Sequence, residues 1–516
     1  MQSNCLSVTP LETEFGRKRK IDQSSCNKDF SCLKGFCPSF VTVTGADIAV
    51  HTSGDATRLD QLIATLPEPE QPTLGEQGYN ILVSGIGGTG VLTIGALLGM
   101  AARVDGKGAT ILDMTGMAQK GGAVTSHIRI GPDPKGIYTS RLSEGMTDLL
   151  IACDLIVGSG APVLKTVAPD RTAAIVNTDV APTGEFQRNK TLDLGHERLR
   201  RAVQQAIGEG PLSELNASQL ATDLTGDSIG TNILMLGYAV QKGLVPLSVP
   251  SIQEAIRLNG RFADSNLRTF DLGRLAAHDP DALAREIAPK TPTVPLDTVD
   301  DVLRSRTRLL TTYQNDNYAA SYRDFVETIR TEVAAKSLDG GDRFVREVAL
   351  TLARLMAYKD EYEVARLYTD PTFKQRLDEQ FSGHYRISFH LAPPILPGVD
   401  TSGRPKKRTF GPWMFTAFRL LSRLKFLRGT VFDPFGYFAE RRMERKLIVD
   451  YQTLIRSVVD RLDARNLAIA TELAEEARHI AGYGPVKLDA VTHYRERERA
   501  LLERFSARED ASEQAA

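Results

Sequence analysis

Residues 79–106, YNILVSGIGGTGVLTIGALLGMAARVDG, decide the architecture. A short apolar run of strand length leads into the glycine turn GIGGTG at 85–90, and an apolar helical segment follows at once. A strand that feeds a helix through glycines is the opening unit of a doubly wound sheet and the context a dinucleotide site requires. Gly85 permits the tight turn, Gly87 and Gly88 let a ligand or a neighbouring backbone approach, and Gly90 permits close packing of the helix on the strand. These four are candidate cofactor-binding positions; the alternative is that the glycines do no more than make the turn.

Outward from that unit, ATILDM (109–114) reads as a second strand and AVTSHIRI (123–130) as a third with alternation. DLIVGSG (154–160) reads as a strand closing in another glycine turn, and AAIVNTD (173–179) continues the set. Strands alternating with helices predict an α/β fold with a mainly parallel, Rossmann-like sheet. Asp113, at the end of the second strand, falls where a ribose-binding acid would sit, which on its own favours NAD. A second glycine loop, TGMAQKGGAV (115–124), argues against that reading, because it joins the second strand to the third with no room for a crossover helix. Helical segments are expected from about 212 to 276; Ser251 and Glu254 have capping-box spacing, and Asn259-Gly260 stops that helix.

The chain has 516 residues, room for several domains, with 42% apolar and 25% charged residues as in soluble globular proteins. Its 63 basic and 64 acidic residues nearly cancel and give no ground for a nucleic-acid partner. No apolar run reaches the roughly 18 residues a membrane span needs, and residues 1–20 carry charges where a secretory signal has an apolar core. A cytoplasmic location is expected. Five cysteines do not make a disulfide framework in that setting, so a tight cysteine group reads as a metal or redox site.

Such a group lies near the N-terminus in SSCNKDFSCLKGFCPSF (24–40). Cys26, Cys32 and Cys37 are separated by five and four residues, and Cys5 stands upstream as a fourth thiolate. Four thiolates ligate a [4Fe-4S] cluster or a structural zinc. Zinc modules usually pair their ligands at about two to four intervening residues, and these gaps do not form two such knuckles, whereas Phe30, Phe36 and Phe40 could supply an apolar shell and Pro38 follows the last cysteine as in ferredoxin-type runs; spacing alone leaves both metals open. Cys153, in an apolar segment, reads as a buried small hydrophobe.

Prolines divide the rest. LPEPEQPTLGEQG (66–78) and IAPKTPTVPLDTV (287–299) mark boundaries, giving a Cys-rich iron-sulfur module at 1–50, a linker at 51–78, the glycine-loop domain at 79–285, a second linker at 286–300, a helical domain at 301–505 and a disordered tail at 506–516. RPKKRTFGPWMFTAFRLLSRLKFLRG (404–429) is strongly basic and holds the single tryptophan; it reads either as a solvated face or as a docking surface for an acidic partner.

GIGGTGVLTIGALL followed by MAQKGGAVTSHIRIG resembles the gamma domain of the 2-oxoacid:ferredoxin oxidoreductases, the pyruvate/ketoisovalerate oxidoreductase catalytic domain. The resemblance continues through GDSIGTNILMLGYAVQKGLVP (226–246) and AIRLNGRFADSNLRTFDLGRLA (255–276). Within that family the chain resembles the long, fused indolepyruvate ferredoxin oxidoreductases, in which the cysteine stretch precedes the gamma domain and a helical extension containing RLMAYKDEYEVARLY (354–368) follows it. The resemblance implies oxidative decarboxylation of aryl 2-oxoacids with coenzyme A, using thiamine diphosphate and magnesium, with electrons leaving through a [4Fe-4S] cluster on Cys5, Cys26, Cys32 and Cys37 to ferredoxin. Gln119, Gly121 and Gly122, with Lys120 between, then become candidates to contact a coenzyme A phosphate or the thiamine domain, or they form a plain hairpin turn. The GDG block that holds thiamine diphosphate in that family has no counterpart here: DGGD at 339–342 lies in a helical context. The chain is therefore expected to be the C-terminal portion or a subunit of the enzyme, inactive alone, oligomeric, and partnered by thiamine-binding domains. No catalytic residue is assigned. His127, on an alternating strand without an evident acid partner, reads as a satisfied core or surface histidine, and Asn232 as a helix cap. The rival readings are an NAD-dependent oxidoreductase built on GIGGTG and a zinc-stabilised scaffold.

Overall fold

The computed structural model describes residues 7–11, 13–23, 26, 28–34, 40–48, 56–116, 122–133, 139–180, 195–260, 262–287, 296–393, 398 and 406–513. Tyr79–Ile86 is a strand and Val91–Val104 a helix, joined through the glycine turn. Every residue from Asn80 to Gly85 is buried, because helices cover both faces of the sheet; that is why the strand reads as a continuous apolar run.

Six strands form the sheet, in spatial order Leu212–Leu215, Ala173–Asn177, Leu149–Ala152, Tyr79–Ile86, Ala123–Gly131 and Gly108–Thr115. Neighbours among the first four run parallel, while Ala123–Gly131 is antiparallel to both strands beside it. The α/β class and the mainly parallel sheet are therefore as the pattern predicts. One face carries Val91–Val104, Ala217–Thr225, Thr231–Gln241, Val249–Asn259 and Ala263–His278. The other carries Leu155–Gly158, Ala161–Leu164 and His196–Ile207.

Close approach here depends on missing side chains. A Cβ on Gly95 would lie 2.4 Å from Ser126 Oγ, so the glycine-loop helix rests directly on the sheet. Gly237 and Gly273 let two helices touch backbone to backbone: a Cβ on the first would lie 1.9 Å from the Phe270 carbonyl, and on the second 2.0 Å from that of Leu234.

Three local readings need correction. The segment at 154–160 is not a strand; the strand is Leu149–Ala152, and Asp154 caps the helix Leu155–Gly158 by accepting from Val157 N–H at 2.9 Å. The expected helical stretch opens with the strand Leu212–Leu215. The helix Val249–Asn259 is capped by Ser248, not Ser251, while Gly260 ends it in the left-handed conformation as expected.

Within the proline-marked stretch at 51–78, Ala56–Ala64 is a helix with Leu59 buried in the core of the sheet domain. The Pro67 carbonyl accepts from Gln241 Nε2 at 2.9 Å and Arg274 Nη2 at 3.3 Å, so this segment is fastened down.

Beyond residue 298 the described residues are mostly helical, and Val299–Tyr313, Asp316–Ala335, Gly341–Met356, Ala439–Asp460, Leu467–Glu476 and Pro485–Glu513 share a second core that includes Tyr322, Phe344, Tyr451 and Phe505. The last helix runs into the stretch expected to be frayed, since Ala, Glu and Arg favour helix even without bulky apolar neighbours. A smaller aromatic core gathers Tyr368, Phe389 and Phe418, with ring centroids 5.0–5.3 Å apart. Its strand Arg386–Leu391 pairs antiparallel with Phe40–Thr44 on one side and Arg408–Phe410 on the other. Asp47–Ile48 likewise pairs with Phe381–Ser382. The strand that follows the cysteine stretch is thus part of the C-terminal region's sheet.

Candidate functional site

Helices leave Tyr79–Ile86 toward one face of the sheet and Leu149–Ala152 toward the other. The crevice between the carboxyl ends of these adjacent parallel strands is the topological switch point, where open α/β sheets bind ligands. The glycine turn forms one wall and Cys153-Asp154 the other.

The four glycines divide the work differently from the sequence reading. Gly85 lies within the strand, and a Cβ there would come within 2.8 Å of Val91 Cγ2 and 3.2 Å of Cys153 Cβ. Its role is packing. Gly87 N–H donates to the Gly122 carbonyl at 2.8 Å, tying the two glycine loops together. Gly88, at φ +89°, is exposed with open space around its Cβ direction, and Gly90, at φ +98°, is the left-handed N-cap of the helix. Only Gly88 presents bare backbone to an incoming group. Gln119, Lys120 and Gly121 lie outside the described residues.

Asn232 is a strut rather than a helix cap. It is 3% exposed, and its Nδ2 donates to the Thr89 carbonyl at 2.9 Å, holding the glycine turn from the helix packed behind it. Asn177 performs the equivalent task next door: its Nδ2 donates to the Cys153 carbonyl at 3.0 Å while its Oδ1 accepts from Ala217 N–H at the same distance. Neither contact has a local sequence signal, because each spans a large separation. Cys153 is buried as expected, and burial, with the Asp154 carboxylate beside it, pushes its thiol up to about 12. Asp113 is displaced from any ribose site: the antiparallel strand Ala123–Gly131 stands between its own strand and Tyr79–Ile86. His127 is 5% exposed, its Nδ1 accepts from Leu142 N–H at 3.3 Å, and burial, with Arg141 nearby, lowers its pKa. It is a core histidine.

The cysteine stretch is described at Cys26 and Cys32, both half-buried; Cys5 and Cys37 lie outside the described residues. Cys26 Sγ accepts from Lys28 N–H at 3.3 Å, the kind of contact that stabilises a metal-bound thiolate. Asp29 Oδ1 accepts from the N–H and Oγ of Ser31, both at 2.9 Å, starting the short turn Ser31–Lys34 that carries Cys32. Lys28 and Phe30 adopt φ +57° and +55°, a strained conformation for non-glycine residues that concentrates at ligand sites. Among the described residues no group of three or more His, Cys, Asp or Glu side chains is gathered as for a metal. The hairpin Val8–Leu11 with Lys18–Ile21 leads into this stretch, and Lys20 and Asp22 act electrostatically on Asp179, just past the end of Ala173–Asn177. Burial raises the pKa of Asp179, and the nearby Lys20 opposes the rise. The segment just ahead of the cysteine stretch thus lies within electrostatic range of the carboxyl edge of the sheet. No described helix is long and apolar enough to cross a membrane.

A sheet of this topology, a switch-point crevice and two tied glycine loops define a class, and the chain belongs to the pyruvate ferredoxin/flavodoxin oxidoreductase family, which residues 80–276 match. In particular this domain is of the gamma type found in an indolepyruvate enzyme: it is 30% identical over 205 residues to "Indolepyruvate oxidoreductase subunit IorB" of Pyrococcus horikoshii, covering 39% of this chain and 96% of that one. The subunit of the same name from Thermococcus kodakarensis is 29% identical over 209 residues, at 39% and 96% coverage. Among solved structures, a keto/oxoacid ferredoxin oxidoreductase gamma subunit from Geobacter sulfurreducens PCA is 22% identical, covers 39% of this chain and 98% of its own, and has a TM-score of 0.29. Residues 299–500 match a family of unknown function, DUF6537.

Proposed function

We propose that this chain is the gamma-type and cluster-bearing part of an indolepyruvate-type 2-oxoacid oxidoreductase, converting aryl 2-oxoacids and coenzyme A to acyl-CoA. Thiamine diphosphate and magnesium sit on partner domains or a partner subunit, so the chain is inactive alone and works in an oligomer. Cys5, Cys26, Cys32 and Cys37 are the ligands of a [4Fe-4S] cluster, which when bound supplies one-electron transfer toward ferredoxin. The glycine turn at 85–90 and the loop containing Gln119, Gly121 and Gly122 form the rim that faces coenzyme A or the thiamine-bearing partner. In this reading Gly88 offers bare backbone and Asn232 holds it in place. The 1–50, 79–285 and 301–505 segments are the functional units, located in the cytoplasm.

The observation that carries the proposal is the Lys28 N–H directed at Cys26 Sγ in a loop with left-handed backbone at Lys28 and Phe30. Two half-buried thiols, one of them accepting a backbone hydrogen bond, in a loop whose Lys28 and Phe30 hold a costly conformation, support this reading. Anaerobic reconstitution with iron and sulfide tests it. A brown protein with about four iron and four labile sulfide per chain, reduced to near background by Cys26→Ser or Cys32→Ser, is expected. A colourless chain that retains one zinc refutes the cluster assignment. An NAD reading is disfavoured by the strand that separates Asp113 from the glycine turn, and no change in NADH fluorescence is expected on titration.

A further inference from the structure

The C-terminal region matches a family of unknown function, yet three attachments bind it to the cysteine stretch and its two flanks. Arg386–Leu391 pairs with Phe40–Thr44 in register from Arg386 opposite Thr44 to His390 opposite Phe40, and His390 Nε2 lies 3.0 Å from Thr42 Oγ1. Lys407 donates its ammonium to the carbonyl of Leu33, the residue after Cys32, at 2.7 Å, and stands 4.9 Å from the Phe40 ring centroid. Arg306, 3% exposed, donates to the carboxylate and the carbonyl of Glu14, each at 2.9 Å, and lies 4.4 Å from the Phe15 ring centroid.

Among the described residues ahead of the strand Phe40–Thr44, the regular element of the cysteine stretch is the four-residue turn Ser31–Lys34, too short to persist by local hydrogen bonding. The left-handed backbones of Lys28 and Phe30 persist only where surroundings fix them. Those surroundings are anchored before Cys26 by Arg306 on Glu14 and Phe15, and after Cys32 by Lys407 and the paired strand.

We propose that the C-terminal region is the clamp that holds Cys26 and Cys32 in ligating geometry, with Arg306 and Lys407 as its positioning residues. The inference rests on the reading of this loop as a thiolate ligand set, and its test reads the thiols without metal, so that the two fail separately. The metal-free full-length chain is labelled with iodoacetamide under native conditions and each cysteine is followed by peptide mass spectrometry, with buried Cys153 as the internal control. Lys407→Met and Arg306→Met are each expected to speed labelling of Cys26 and Cys32 by about threefold or more through easier local opening. Lys407→Arg is expected to restore the slow rate, and Cys153 to stay protected throughout. Labelling of Cys26 and Cys32 at the unaltered rate in both Met variants overturns the proposal. Should a variant expose Cys153 as well, hydrogen exchange of the unaltered chain across a denaturant series decides. A common opening free energy for residues 28–34 and 386–391 supports the clamp, and free exchange of 28–34 while 386–391 stays protected refutes it.

Discussion

Arg428→Met removes the cation that is paired directly with the buried Asp360. Arg428 and Asp360 are each 3% exposed at their side chains, and the guanidinium grips the carboxylate twice, Nε to Oδ2 at 2.5 Å and Nη2 to Oδ1 at 2.8 Å. Its Nη1 donates to the Tyr313 carbonyl at 2.6 Å, and its centre lies 3.7 Å from the Tyr313 ring centroid. The carboxylate also caps the helix Glu361–Thr369 by accepting from Glu363 N–H at 2.8 Å. A buried pair of this kind is near neutral against a well-packed apolar replacement, but removing one partner strands the other charge at about 3–5 kcal/mol. Arg428→Met is therefore expected to destabilise the C-terminal region by that amount. Asp360→Asn, which keeps a capping oxygen, strands the guanidinium instead. The double variant should cost less than the sum of the single ones by about 2–3 kcal/mol, as expected for charges in direct contact. Urea unfolding followed by Trp413 fluorescence reads this region, because the only tryptophan lies in it, while circular dichroism follows the whole chain. Additivity within about 0.5 kcal/mol would refute the coupling.

Asn232→Asp keeps the shape of the strut but sets a carboxylate against the Thr89 carbonyl; it should cost more than Asn232→Ala, about 2–4 kcal/mol against 1–2, because a buried charge is left facing an acceptor. Burial raises the new carboxyl's pKa, so the penalty should shrink as the pH falls from neutrality toward 4, whereas equal, pH-independent losses in the two variants would count against the strut. Cys153, pushed up to about 12, should resist iodoacetamide at pH 8, and since the unfolded thiol ionises first, stability should decline as the pH climbs from 9.0 toward 12; native labelling as fast as that of Cys26 would contradict its burial. His127 has a lowered pKa, so its contribution is complete above the unfolded value of 6.5 and is lost as the pH drops through that value toward the folded one. His127→Gln, whose amide oxygen can still accept from Leu142 N–H, should flatten that acid limb in thermal melts.

The sheet was legible where covered strands leave continuous apolar runs, as at Tyr79–Ile86 and Ala173–Asn177. Direction was not, since a strand's pattern is the same whichever way it runs; only the shortness of the 115–124 loop hinted that Ala123–Gly131 turns back. The segment at 154–160 misled because the three apolar residues after Asp154 fit a strand or a capped helical turn equally well, and the cap decides. At the site, GIGGTG located the turn, but the division of labour among its glycines came from neighbours far along the chain: Val91 and Cys153 around Gly85, Gly122 against Gly87, Asn232 behind Thr89. The basic stretch at 404–429 carries no label separating its roles. Arg428 is buried in an ion pair, while Lys407 and Lys425 donate to the carbonyls of Leu33 and Thr312. Arg408, Arg419 and Arg423 remain exposed.

The strand Phe40–Thr44 completes its ladder with a partner some 348 residues later, as between Thr42 and His390. Synthesis runs at about 5–20 residues per second, so the N-terminal segment waits on the order of 20–70 s before its partner strand exists. During that interval the cysteine stretch and an unpaired strand edge are present without the surroundings that order them, and closing so long a loop is intrinsically slow. The cysteine stretch thereby gains its ordered surroundings only after residues 386–391 have been made, and a nascent chain that stalls before residue 386 leaves its thiols open to oxidation and its strand edge open to the wrong partner.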